Sequence, residues 1–249
     1  MNIEIVKEPD TVKPFAIIYK PSGLASAPLT ETDTENAFYK AAQLFPQMQQ
    51  VHGRKAIEHG LIHRLDTATS GLMLIAANQE CYDFLLHEQK ENRIIKTYSA
   101  ICDISDTLLE GFPDSPFDIS NLSKNNIFEI TSYFRAYGEG RKQVRPVTKD
   151  SGKIALSKID KPVLYTTKIT IRKIDFNQKI AYVDCEITNG YRHQVRCHLS
   201  WCGLPVQNDS LYNPLKNKSA EEMKFCATSI KFEYPRGDLN SYDRKDTWT

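Results

Sequence analysis

The sequence has almost no net charge. Its 32 Lys and Arg stand against 31 Asp and Glu, a formal +1 over 249 residues. No global cationic field therefore announces a nucleic-acid partner, and any polyanion site must be local. Cysteine lacks pattern: residues 81, 102, 185, 197, 202 and 226 form no CxxC and no zinc-like grouping with histidine. They read as reduced, buried thiols of a cytosolic protein. No apolar run approaches the roughly 20 residues of a membrane-spanning helix, and "MNIEIVKEPDTVKPF" is too polar for a signal peptide. Repeats, low-complexity tracts and linkers are missing as well. The expectation is a soluble, cytoplasmic protein with no metal and no membrane partner, monomeric by default.

What is present suits one globular domain over residues 1–249, with 41% hydrophobic and 25% charged content. "FAIIY" predicts a strand over Phe15 to Tyr19, stopped by Lys20-Pro21 and a Ser22-Gly23 turn. Residues 31–50 suit a helix broken near Pro46. "GLMLIAA" is short, continuous and apolar, as a strand covered on both faces would be. Asn78 then offers an N-cap to a helix over "QECYDFLLHEQKENR". "RIIKTYSAIC" alternates, with Ile94, Lys96, Tyr98 and Ala100 on one face. Residues 103–126 turn acidic and loop-like. "IFEITSYFRAY", "YTTKITIRKI" and "KIAYVDCEI" predict further strands. "YRHQVRCHLSWCG" carries Val195, Leu199 and Cys202 at helical spacing and closes on Gly203. Many strands and few helices indicate an α+β fold around a mixed or antiparallel sheet.

Four groups of residues can carry chemistry. His63-Arg64-Leu65-Asp66 sits at the mouth of the apolar strand, where Asp66 is either turn chemistry or a nucleophile or base. Arg192 and Arg196, four apart on the expected last helix, are cations that can keep such a carboxylate ionised. Tyr98 is either a core residue or a ring that stacks on a planar ligand. "RKQVRPVTKDSGKIALSK", residues 141–158, holds six Lys/Arg against Asp150 and reads as a mobile basic loop able to meet a phosphate backbone. A hydrolase with an Asp nucleophile lacks a second acid/base carboxylate or a metal cluster.

Together these segments resemble the RluA-type RNA pseudouridine synthases. "HGLIHRLDTATSGLMLIA" is similar to that family's HRLDxxTSGLLxxA motif. "IIYKPSGL" resembles its KPxG segment, "IIKTYSAI" its KxYxA strand, and "NGYRHQVRCHLSWCGLPVQNDSLY" its GRxHQIRxHLxxxGxPIxGDxxY stretch. The resemblance runs from about residue 15 to 235. Tyr191 departs from the usual Arg, Gln207-Asn208-Asp209 from the usual Gly-Asp context, and "KFCATSIKFEYP" lacks the usual histidines.

The resemblance implies a pseudouridine-synthase-like, mixed but mainly antiparallel sheet flanked by helices and loops, a catalytic domain without the N-terminal S4 RNA-binding module of many relatives. It also implies isomerisation of uridine to pseudouridine in structured rRNA or tRNA, with no cofactor. Asp66 matches the essential catalytic Asp; addition to C1′, addition to C6 and removal of a ribose proton all stay open. Arg196 matches the Arg that pairs with that carboxylate, and Tyr98 the Tyr that stacks on uracil and is a candidate to relay the C5 proton. Arg64 matches the Arg that fills the place of the extruded base. His63, Arg192, Lys142, Arg145 and Lys149 complete the expected RNA contacts. The alternative is a non-catalytic RNA-binding protein or RNA chaperone on the same fold.

Overall fold

A computed structural model describes residues 1–215, 221–235, 237–244 and 248. In chain order the elements are β1 (Glu4–Lys7), β2 (Phe15–Lys20), α1 (Ala37–Leu44), β3 (Ser70–Ala76) and α2 (Gln79–Lys90). Then come β4 (Ile95–Asp103), β5 (Ile127–Tyr137), β6 (Gln143–Val147), α3 (Lys153–Leu156) and β7 (Tyr165–Asp175). The last are β8 (Ile180–Ile187), α4 (Gln194–Trp201), β9 (Phe225–Tyr234) and β10 (Asp238–Asp243). The chain divides into two compact units, Met1–Thr97 with Cys226–Thr249, and Tyr98–Phe225.

In the first unit, β2 pairs antiparallel with β1 and with β3, Phe15 opposite Ala76 and Lys20 opposite Gly71. β3 runs parallel to β9 at Ser70–Cys226 and Gly71–Ala227, and β10 returns antiparallel along β9. All seven residues of β3 are buried, which is why its sequence is continuously apolar instead of alternating. Gly71 is required there: at φ 129°, any Cβ would collide with the Ala227 backbone. Phe15 packs edge-on against Phe232 and Tyr234, and Leu72, Leu74 and Leu85 complete the core. Asn78 caps α2 by accepting from Cys81 N at 2.9 Å. The helix stops at Lys90, short of the sequence-based end, where Asn92 turns left-handed at φ 59°. α1 starts later than expected, at Ala37 behind the cap Asn36, and a 3-10 turn from Pro46 to Gln50 follows the break.

In the second unit the strand order is β4-β8-β7-β5-β6, and the β5–β6, β5–β7 and β7–β8 pairs are antiparallel. β8 alternates between buried and half-buried positions, so one face meets the core and the other is open. α4 is buried at all eight positions, and Phe134, Val144, Tyr165 and Tyr212 cluster with its Cys197. Gly203, at φ 80°, follows its C-cap. The 104–126 stretch holds no strand, only a 3-10 turn at Ile119–Asn121. It is nonetheless fastened: Trp201 Nε1 donates to Pro113 O and Asp114 O, and Phe117 stacks on Phe128 at 4.2 Å. The six cysteines are buried thiols that form no disulfide, and burial raises the thiols of 81, 102, 185, 197 and 202. Among the described residues no helix is long and apolar enough to cross a membrane.

Candidate active site

The HRLD segment lies in the first unit, laid along residues 20–26. Leu65 N donates to Ser26 Oγ at 2.9 Å, and that hydroxyl donates to Leu65 O at 2.6 Å. Gly23 N donates to Thr67 O, Ser22 Oγ to Ala68 O, and Lys20 Nζ to Thr67 O. Thr69 N closes the turn on Asp66 O at 3.0 Å. The KPSG stretch and Ser26 thus clamp the turn bearing Asp66.

Lys20 is a buried cation at this turn. Its side chain is fully buried, and its ammonium also donates to Pro21 O and Leu24 O. Burial pushes it down to about 8, while the Asp66 charge pulls the other way. In the sequence this cation is marked only by the KPxG match, and nothing there places it beside Asp66. His63 corrects an expectation. Its Nε2 accepts from Leu74 N at 3.2 Å, and burial, aided by the Lys96 charge, pushes the ring down to about 3. A neutral ring whose Nε2 accepts carries its proton on Nδ1, and that atom is shielded from solvent. His63 therefore turns Nε2 to the backbone of β3, and the residue as a whole is half-buried. Arg64 does reach out, with 56% of its side chain exposed, and its Nη1 donates to Glu58 Oε1 at 3.0 Å.

Tyr98 and Arg196 lie in the second unit. Tyr98 is 8% exposed and stacks on Phe225 at 5.2 Å and 8°. Arg196, on α4, forms a buried bidentate pair with Asp209, Nε to Oδ2 and Nη2 to Oδ1, both 2.7 Å. Its guanidinium also lies 5.2 Å from the Tyr212 ring, whose hydroxyl meets His193 Nδ1 at 2.9 Å. Asp209 turns its carboxylate into a cap as well, accepting from Leu211 N and Tyr212 N. The departure at Asn208 has a backbone reason: its φ is 61°, a left-handed position that Gly or Asn tolerates. On α4 itself, His198 bridges Ser132 Oγ and Thr167 Oγ1, and burial pushes it down to about 3. The helix is therefore locked by neutral hydrogen bonds.

Two further expectations are corrected. Arg192 does not share a helix face with Arg196, because α4 begins only at Gln194 and His193 is left-handed at φ 57°. Arg192 is exposed and donates through Nη2 to Arg141 O and Gln143 O. Residues 141–158 are not one loop either, since β6 and α3 interrupt them. Arg145 faces inward from β6, 3% exposed, with its guanidinium 4.1 Å from the Tyr137 ring and 4.9 Å from Phe112. It donates to Glu110 O and Val144 O, so it is spent on the fold and leaves the set of phosphate contacts. Lys142 and Lys149 are exposed. Among the described residues no group of three or more His, Cys, Asp or Glu could hold a metal ion.

These segments match known proteins. The family described as RNA pseudouridylate synthase matches residues 14–201, and the chain belongs to it. An uncharacterized RNA pseudouridine synthase of Mycoplasma pneumoniae, the MG209 homolog, is 31% identical over 223 residues, 88% of this chain and 59% of the relative. The ribosomal large subunit pseudouridine synthase D of Neisseria meningitidis serogroup B is 24% identical over 231 residues, 92% of this chain and 51% of the relative. The chain thus spans between half and two thirds of these relatives. Among solved structures, human RNA Pseudouridylate Synthase Domain Containing 1 is similar with a TM-score of 0.67 at 18% identity, over 100% of this chain and 85% of that one. That likeness shows the fold, an α+β arrangement dominated by antiparallel strands.

Proposed function

We propose that this protein is an RNA pseudouridine synthase acting on structured ribosomal or transfer RNA. The N1–C1′ bond of a uridine breaks, the base turns, and C5 joins C1′; N1 gains a proton and C5 loses one. Reactant and product are isomers. The observation that carries the reading is the Asp66 turn, held by Ser22, Gly23, Ser26 and buried Lys20 at the mouth of a fully buried strand, in a chain of this family.

In this reading Asp66 supplies the essential carboxylate and Tyr98 the ring for the uracil. Arg196, oriented by Asp209, supplies a guanidinium that keeps a carboxylate ionised. Taking the base out of its stack costs a few kcal/mol. Arg64, exposed at the turn, suits the vacated place because a guanidinium plane both stacks and donates to an orphaned base edge. The exposed cations Lys142, Lys149 and Arg192 meet phosphates. The name of the Neisseria relative supports ribosomal RNA as a substrate class.

The test is incubation with unmodified rRNA and tRNA, digestion to nucleosides and chromatographic separation of pseudouridine from uridine. New pseudouridine supports the proposal. RNA bound without any product supports the binding-protein alternative.

A further inference from the structure

In the free protein the exposed cation of the HRLD turn is already engaged. Arg64 Nη1 lies 3.0 Å from Glu58 Oε1, and Lys55 Nζ lies 3.4 Å from the same oxygen. The partners differ in freedom. The Arg64 and Lys55 side chains are 56% and 64% exposed, but that of Glu58 only 15%. Glu58 ends the 3-10 turn Ala56–Glu58; its N–H donates to Lys55 O, and its carbonyl accepts from Leu61 N. The next residue, His59, sits at φ 45°, ψ −125°, a conformation strained for a non-glycine residue that persists only where its surroundings over-determine it. Those surroundings are present. The His59 ring stacks on Phe38 at 5.2 Å and 13°, and Gly53 lies so close that a Cβ there would run into the His59 carbonyl. A carboxylate on a pinned backbone therefore faces an arginine whose side chain is largely exposed.

We propose that Glu58 is a positioning residue that holds Arg64 in the free protein, occupying the place of an RNA acceptor until RNA displaces it. The inference rests on the reading of Arg64 as an RNA contact and adds a residue that sets the affinity of that contact. Ion pairs of such exposure are worth about 0.2–1 kcal/mol, enough to order the side chain and weak enough for RNA to replace. Lys55 remains beside Glu58 when Arg64 leaves, so the half-buried carboxylate keeps a counter-charge. The dependence on Arg64 is distinctive: losing a bystander carboxylate changes RNA binding equally with or without Arg64, whereas losing a competitor tightens it only while Arg64 is present.

The experiment titrates fluorescein-labelled, unmodified tRNA transcripts and unmodified large-subunit rRNA fragments with five proteins: wild type, Glu58→Gln, Glu58→Ala, Arg64→Ala and the Glu58→Gln/Arg64→Ala double variant. Glu58→Gln should tighten binding about threefold, and in turnover should lower KM with kcat unchanged. Glu58→Ala, which removes the acceptor altogether, should tighten it at least as much. In the Arg64→Ala background the gain should vanish. A gain of equal size in both backgrounds reflects bulk charge alone and overturns the proposal. Unchanged or weaker binding by folded Glu58→Gln, with Arg64→Ala still weakening, also overturns it and leaves the proposed function standing. Wild type that binds neither RNA, or binds regardless of Arg64→Ala, removes the RNA reading of Arg64 and this inference with it.

Discussion

Asp209 holds Arg196 through two parallel hydrogen bonds of 2.7 Å, with both side chains almost fully buried. The fork fixes the guanidinium plane, and the same carboxylate caps the backbone at Leu211 and Tyr212. A charge so enclosed depends on its partner. Asp209→Asn keeps the shape but leaves Arg196 short of its counter-charge, and breaking a buried pair in this way costs about 3–5 kcal/mol. Urea unfolding should read a loss of that order. A loss below about 1 kcal/mol would mean that the pair does not anchor α4.

The basic stretch separates into two roles that one titration distinguishes. Lys142→Gln and Lys149→Gln should each lower the slope of log K against log salt by about 1 for RNA binding, as expected when one phosphate contact is lost. Arg145→Met should leave that slope alone and lower the melting temperature, because its guanidinium is committed to Glu110 O, Val144 O and the Tyr137 ring. A reduced slope for Arg145→Met would return this residue to the RNA surface.

Lys96 gives a pH signature. It is 3% exposed, and burial, reinforced by the Arg54 charge, pushes its ammonium down to about 8 from 10.5. Between these values the unfolded chain holds the proton and the folded chain does not, so stability rises with pH across that window. Below about pH 8 the folded protein bears the full cost of the buried charge. Lys96→Met should flatten the rise by roughly 2 kcal/mol between about pH 7.5 and 9.5, measured by urea unfolding. Lys20, also at about 8, leaves a residual slope. Equal slopes in wild type and variant would contradict the assignment.

Much of the architecture was legible because local signals agreed with tertiary demand. The apolar run of β3, the Asn78 cap and the Gly203 stop each have one dominant physical cause, and each stands where the pattern puts it. The failures share a different cause. Arg192 left the helix because His193 takes a left-handed φ that no periodicity announces. Arg145 went inward because β6 pairs with β5, Arg135 opposite Arg145, a register invisible in a stretch rich in lysine and arginine. His63 looked like part of a charged cluster, yet its ring accepts from β3, a contact 11 residues away in sequence. Of the candidate site, the Asp66 turn was legible as a motif, whereas its support by Lys20 and the anchoring of Arg196 by Asp209 depend on long-range packing.

The central claim is that Asp66 carries uridine isomerisation. Its most direct test is tritium release from RNA labelled at uridine C5, prepared from cells that lack this protein and therefore carrying the unmodified target. Once C5 has joined C1′, its hydrogen must leave for the ring to regain its C5–C6 double bond, so release reports the reaction wherever in the RNA the target uridine lies. The account predicts release by the wild type and none by Asp66→Asn, with both proteins equally folded and binding RNA alike. Release by Asp66→Asn at the wild-type rate would contradict it.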